Sequence, residues 1–175
     1  MLKTLDPSDR ELVEKAQEAA ARAYAPYSRF AVGAAVRSKS GGVHAAANLE
    51  NASSGLTICA EAAALSAANS AGDPEIDALA VVGFDFTDRA AGASLLVAPC
   101  GSCRQLIAEA AQRGNGSVRV ICCNGELSSV AVWTIAELLP NAFGPENLAV
   151  SRQWPALREE LRACVHRLIA IRKKQ

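Results

Sequence analysis

Two cysteine-bearing stretches, Cys59-Ala60-Glu61 and Pro99-Cys100-Gly101-Ser102-Cys103, lie far apart in this chain but make chemical sense only if the fold brings them together. Cys100 and Cys103 are three residues apart. If Cys100 opens a helix, Cys103 falls on the same face about one turn on, and one ion can bind both thiols. Cys59 offers a third thiol, and Glu61 is too close to it in sequence for both to be ordinary ligands of one tetrahedral ion. A structural zinc site uses four protein ligands, whereas a catalytic one uses three and keeps the fourth position for water. Cys59, Cys100 and Cys103 as metal ligands, with Glu61 beside them as a non-ligand carboxylate, fit the catalytic pattern. Alone, the Cys-x-x-Cys pair leaves a redox dithiol and half of a structural zinc site open as well. The redox reading gives Cys59 and Glu61 no role. The structural reading lacks a fourth ligand, since His44 and His166 lie in segments with no ligand-like partner.

Charge and length narrow the class further. The chain of 175 residues carries 18 basic and 18 acidic side chains, so it lacks the basic footprint of a nucleic-acid binder. No apolar run approaches the roughly 20 residues needed to cross a bilayer. The first residues, Met1 to Pro7, hold no apolar stretch of signal-peptide length. Six cysteines in such a chain, three of them at metal-ligand spacing, point to a reducing cytoplasm rather than to disulfides. Cys122, Cys123 and Cys164 are then expected to be buried thiols, the first two within a strand.

Residues 1–150 read as one α/β domain. Asp6-Pro7-Ser8 starts a helix with an apolar stripe through Leu12, Ala16, Ala19, Ala20 and Ala23, and Ala25-Pro26-Tyr27-Ser28 is expected to end it. Phe30–Val36 and Val43–Asn48 read as two strands joined by a Ser40-Gly41-Gly42 turn. The alanine-rich run from Ile58 to Ala71 reads as a buried helix, and Ala78–Phe84 as a strand covered on both faces. A polar loop over residues 85–92 leads to the second cysteine stretch. A helix over Arg104–Arg113, a strand over Val118–Cys123, a turn at Asn124-Gly125, a short run around Val130–Val132 and a brief helix over Ile135–Leu139 follow. A hairpin followed by alternating helices and strands implies a mixed sheet with helices on both faces, a three-layer α/β/α arrangement of mainly five strands. Residues 151–175 form a separate extension. Leu157, Leu161, Cys164, Leu168 and Ile171 recur at alternating four- and three-residue steps, widened by Val165 and Ile169. This is an amphipathic helix suited to packing on its own domain or on a sister subunit.

The zinc nucleobase deaminases share the layout of the two cysteine stretches, with three Cys or His/Cys/Cys on the metal and a Glu moving protons. Deaminating an aminopyrimidine requires an activated water at the amino-bearing carbon, a proton on the adjacent ring nitrogen and a proton for the departing ammonia. Glu61 is the candidate carrier, with a pKa that burial could bring near the operating pH. Helix N-termini at Cys59 and Cys100 would offset the charge of three thiolates. Arg104 could donate to a ligand sulfur or lie on the surface.

Five blocks in order extend the likeness from about Ala23 to Leu148: Tyr27-Ser28-Arg29-Phe30-Ala31-Val32-Gly33-Ala34-Ala35, Asn48-Leu49-Glu50-Asn51, Cys59-Ala60-Glu61, Pro99-Cys100-Gly101-Ser102-Cys103-Arg104-Gln105 and Leu138-Leu139-Pro140-Asn141-Ala142-Phe143-Gly144-Pro145. On these the chain resembles the short, homotetrameric cytidine deaminase family. The resemblance implies hydrolysis of cytidine and deoxycytidine to uridine and deoxyuridine with release of ammonia, in pyrimidine salvage. It implies one Zn(2+) per subunit on Cys59, Cys100 and Cys103, with Glu61 as proton shuttle. It also implies ribose contacts from Asn48 and Glu50, packing of Phe30 on the pyrimidine, base-edge recognition by the Ala60 backbone, and completion of a neighbouring pocket by Phe143. The residues agree: Asn48 and Glu50 alternate on an extended segment, so both side chains point one way, and an amide and a carboxylate suit hydroxyl groups. Three positions depart from the common pattern, with Ala62 in place of an arginine, Ser54 in place of an aromatic residue and Ala31 in place of proline. The alternatives are an aminonucleoside-antibiotic deaminase of the blasticidin S type or a modified-cytidine deaminase, a nucleic-acid-editing or binding protein, and a metal-bound module without turnover.

Overall fold

The computed structural model describes residues 2–87, 95–114, 116–150 and 153–173. Asp6 starts the first helix, α1 (Pro7–Ala20): its carboxylate accepts the Asp9 N–H at 2.9 Å, and Pro7 fills the first turn, where a missing N–H costs nothing. The helix stops at Ala20, five residues before the expected Ala25-Pro26 boundary, so Ala23 lies outside it. The backbone turns there so that Tyr24 can pair with Asn48 and Glu50.

β1 (Phe30–Ser38) and β2 (Val43–Ala47) form the hairpin, and Gly41 takes the positive φ that its turn demands. The alanine run forms α2 (Ala60–Ser70), which closes before Gly72. β3 (Ile76–Asp85), α3 (Gly101–Arg113), β4 (Arg119–Asn124), β5 (Val130–Thr134) and α4 (Ile135–Leu138) follow. Thr134 and Glu137 cap α4 reciprocally. The expected loop over residues 85–92 lies partly outside the described residues.

The sheet runs β2-β1-β3-β4-β5, with β3 and β4 parallel and every other pair antiparallel. The α/β class and the mixed five-stranded sheet are therefore as expected. Side-chain alternation sorts the core into two layers. Leu12, Val13 and Ala16 of α1 pack on Ala35, Ala80, Val82, Ile121 and Cys123. Ala60, Ala64 and Ala68 of α2 and Ile107 and Ala111 of α3 pack on Val36, Leu79, Val81, Val120 and Cys122 on the other face. Cys122 and Cys123 thus point to opposite faces of one buried strand. Gly33 explains how closely α1 approaches: a Cβ there would lie 2.0 Å from the Ala16 carbonyl oxygen.

Buried Asp9 ties α1 to the sheet. It accepts from Arg37 on β1 at 3.0 Å and from Arg119 on β4 at 2.6 Å, while Arg37 also forms a fork with Asp77 on β3.

The chain divides into two compact units, Met1–Ala142 and Phe143–Gln175. In the second, the Gly144 N–H donates to the Asn147 side chain, and α5 (Trp154–Arg172) is a 19-residue helix. None of its residues is buried, and Cys164 is exposed rather than buried as expected. The contiguous apolar stripe explains the sequence expectation, but among the described residues of this unit no element covers it. Among the described residues, no helix is long and apolar enough to cross a membrane.

Candidate active site

Cys59 and Cys100 occupy equivalent positions, each being the N-cap of a helix, α2 and α3 respectively. Neither side chain makes a capping hydrogen bond, which leaves both sulfurs available at two positive helix ends. Cys103, one turn into α3, brings its thiol to the same point. The three sulfurs all lie within 4.8 Å of one another, and Cys59 Sγ is 3.9 Å from Cys100 Sγ. Zinc–sulfur bonds of about 2.3 Å at tetrahedral angles place sulfurs roughly 3.8 Å apart. The donor set therefore fits zinc in both chemistry and spacing. Among the described residues, no other His, Cys, Asp or Glu joins this group. All six cysteines are free thiols.

Burial rises across the site from exposed Cys100 through half-buried Cys59 to buried Cys103. Burial pushes the Cys59 and Cys103 thiols up, and the neighbouring Glu61 carboxylate adds to this at both. At Cys100 burial acts in the same direction, but N–H groups of Cys103 and Ser102 and the two other thiols outweigh it and hold the group below its ordinary value. Metal uptake by such a set displaces thiol protons.

Glu61 stands in the first turn of α2, only 4% exposed, with Cys103 beside it. Burial pushes its carboxyl upward, and the helix N–H and the Cys103 thiol oppose this in part. A buried carboxyl beside the three thiols is placed to carry a proton between groups bound at the same point. Ala60, the first residue of α2, is fully buried between Cys59 and Glu61.

Arg104 follows neither of the readings offered for it. Its Nε donates to the Pro99 carbonyl at 2.9 Å and its NH1 to the Leu138 carbonyl at 3.0 Å, so it braces the cysteine loop against the end of α4. The Val97 N–H donates to Cys123, which ties the same loop to β4. Ala62 faces a cavity of about 440 Å³ between α2 and α3 that includes none of the three sulfurs.

The segment from Asn48 to Glu50 reaches the site through backbone pairing. Leu49 exchanges hydrogen bonds with Ile58, the residue before Cys59, while Asn48 and Glu50 pair with Tyr24. The side chains do more than the extended pattern predicts. The Asn48 amide accepts the Val32 N–H at 2.9 Å and donates to the Phe30 carbonyl at 3.1 Å. Glu50 accepts the N–H groups of Tyr27 and Ser28 at 2.9 and 3.3 Å. Both therefore shape the 27–32 segment that presents Phe30. Sequence reasoning missed these bonds; the only signal for them was a pair of polar side chains at a strand end. Phe30 is half-buried and sits opposite Asp85 in the register, with its ring leaning toward Gly83, where an added Cβ would lie 3.0 Å from the ring and 3.1 Å from Val97. Phe143 opens the second unit, and its ring is exposed.

Residues 6–122 match the cytidine and deoxycytidylate deaminase zinc-binding region. The chain belongs to the cytidine deaminase family. A cytidine deaminase from Halalkalibacterium halodurans is 43% identical to this deaminase over 141 residues, 80% of this chain and 98% of that protein. A blasticidin-S deaminase from Bacillus cereus is 36% identical over 136 residues, 78% of this chain and 92% of that protein. Among solved structures, cytidine deaminase from Burkholderia pseudomallei is similar with a TM-score of 0.66 and 41% identity, covering 76% of this chain and 97% of that one. This chain is thus a zinc-binding deaminase, an enzyme whose fold and metal-binding region are those of its family.

Proposed function

We propose that this enzyme hydrolyses cytidine and deoxycytidine to uridine and deoxyuridine with release of ammonia, at a site built from Cys59, Cys100, Cys103 and Glu61. One observation carries the reading: three thiols gather at the N-termini of two helices, with a buried carboxyl at their side and no fourth protein ligand among the described residues. Zinc held there supplies Lewis acidity that brings a water to a pKa of about 7. Glu61 takes the proton that the attacking water loses and delivers it to N3 of the ring. It then passes the second proton of that water to the departing amino group, so cytidine and water give uridine and ammonia. Burial raises the Glu61 carboxyl above its ordinary value, the direction that favours proton uptake from the attacking water. The Ala60 backbone reads the base edge and Phe30 packs against the pyrimidine. Asn48 and Glu50, besides shaping the 27–32 segment, offer their remaining hydrogen-bonding capacity to the ribose hydroxyls.

The substrate is a free nucleoside rather than a nucleic acid, consistent with the balanced charge. Residues 1–150 act as the catalytic domain and 151–175 as an extension. The functional form is a cytoplasmic homotetramer in pyrimidine salvage, with one zinc per subunit and Phe143 serving a neighbouring pocket. The exposure of Cys100 in the single chain favours a pocket that another subunit helps to close.

The test is absorbance-monitored turnover of cytidine, deoxycytidine and blasticidin S by the wild type and by Glu61→Gln. The expected result is turnover of both pyrimidine nucleosides, lost by a factor of at least about 100 in the variant while zinc content holds. The blasticidin-S deaminase relative makes that antibiotic the second reading. A strong preference for it over cytidine would replace the first.

A further inference from the structure

The Halalkalibacterium relative is matched over 98% of its length by 141 of the 175 residues here, so a fold of this family is complete without an addition of the size of α5. Yet α5 has a regular design. Trp154, Leu157, Leu161, Cys164, Leu168 and Ile171 follow one another at three- and four-residue steps without a break, which is the spacing of a coiled-coil seam. The helix is about 28 Å long at 1.5 Å per residue. The apolar seam residues are 39 to 61% exposed, and Val165 and Ile169 widen the face beside them.

We infer that the seam of α5 pairs with α5 of a second copy of this chain, antiparallel, with Leu161 of each copy packed against Cys164 of the other. The charges flanking the seam select this orientation. In the antiparallel register Trp154 meets Ile171, Leu157 meets Leu168 and Leu161 meets Cys164. Glu160 then faces Arg167 of the second copy, and symmetry gives this opposite-charge pair twice. Arg158 faces Val165, which carries no charge. A parallel pair would instead set Arg167 against Arg172 and leave Glu160 facing Val165, so it gains no ion pair and carries two repulsions. The occupant that satisfies both seam and flanks is therefore the same helix, reversed. The inference does not depend on the substrate of the main unit.

Cys164 reports the pairing, because the seam buries its thiol. The full-length zinc enzyme is treated with iodoacetamide, and peptide mass spectrometry follows Cys164 separately from the other five cysteines. Three samples are compared with the wild type: Glu160→Arg alone, Arg167→Glu alone, and the two variants co-expressed. Each single variant sets like charges across the pair, so Cys164 should react at least about tenfold faster than in wild type, because a buried group reacts only from the open form. Co-expression lets one variant pair with the other, restores both opposite-charge contacts and should return Cys164 to wild-type protection. Zinc content and circular dichroism of every sample show that the main unit is folded, whatever its substrate.

Three results would overturn the inference. Wild-type Cys164 reacting as fast as in Leu161→Asp would show an unpaired helix. Protection indifferent to the charge variants, or not restored by co-expression, would show the seam covered by the chain's own main unit. Protection that rises in Arg167→Glu alone would show a parallel pair.

Discussion

Replacing Asn48 by alanine probes the join between the fold and the site. Asn48 extends the β1–β2 ladder by one step: its backbone N–H donates to the Val32 carbonyl, while its side-chain amide accepts the Val32 N–H and donates to the Phe30 carbonyl. Alanine keeps the first bond and removes the other two. At about 1 kcal/mol net for each bond, with both peptide groups only partly shielded, Asn48→Ala should lose about 2 kcal/mol. For a chain of this size that lowers Tm by roughly 4–8 °C. Asn48→Asp keeps the acceptor for Val32 but sets a carboxylate oxygen against the Phe30 carbonyl, so it should also destabilise. Calorimetry on the zinc enzyme measures the shift, and steady-state kinetics on cytidine should show kcat/KM falling as Phe30 loses its support. An unchanged Tm with a raised KM would refute the reasoning, since the amide would then serve the substrate and not the backbone.

Asp9→Ala should cost about 3 kcal/mol in urea unfolding. This is the low end for removing one partner of a buried ion pair, because Arg37 keeps Asp77 and Arg119 is 42% exposed. Acid should also weaken the fold. The Ser28 hydroxyl and then the Tyr27 and Ser28 N–H groups hold Glu50 below its ordinary 4.5, and the Ser38 and Ser40 hydroxyls with His44 hold Asp73 below 3.8. A carboxylate whose folded pKa is depressed stabilises fully above its unfolded pKa, and that stability is lost as pH falls through the folded value. Thermal midpoints should therefore stay level down to about pH 5 and decline below about pH 4.5, less steeply in Glu50→Gln. A flat profile to lower pH would contradict these bonds.

The hairpin, both cysteine helices and the buried strands were legible because periodicity and turn residues act locally. Gly41 and the Asp6-Pro7 start leave little choice to the chain. The early end of α1 was not legible, because a backbone exchange between Tyr24 and the 48–50 segment overrides a favourable alanine run. Metal-ligand spacing brought Cys59, Cys100 and Cys103 together in advance, and the structure gathers them within 4.8 Å. The bracing role of Arg104 depends on where α4 ends, and the double pairing of Asp9 depends on the register between β1 and β4. Neither has a local signature. Cys164 looked like a core thiol because an apolar stripe says that a face will be covered without saying by what.

The most direct measurement is zinc K-edge X-ray absorption on the purified enzyme. Three sulfur scatterers at about 2.3 Å and one oxygen at about 2.0 Å, with one scatterer lost in Cys100→Ser, is the predicted first shell. Four sulfurs, or protein that purifies active without zinc, would contradict a catalytic metal held by Cys59, Cys100 and Cys103.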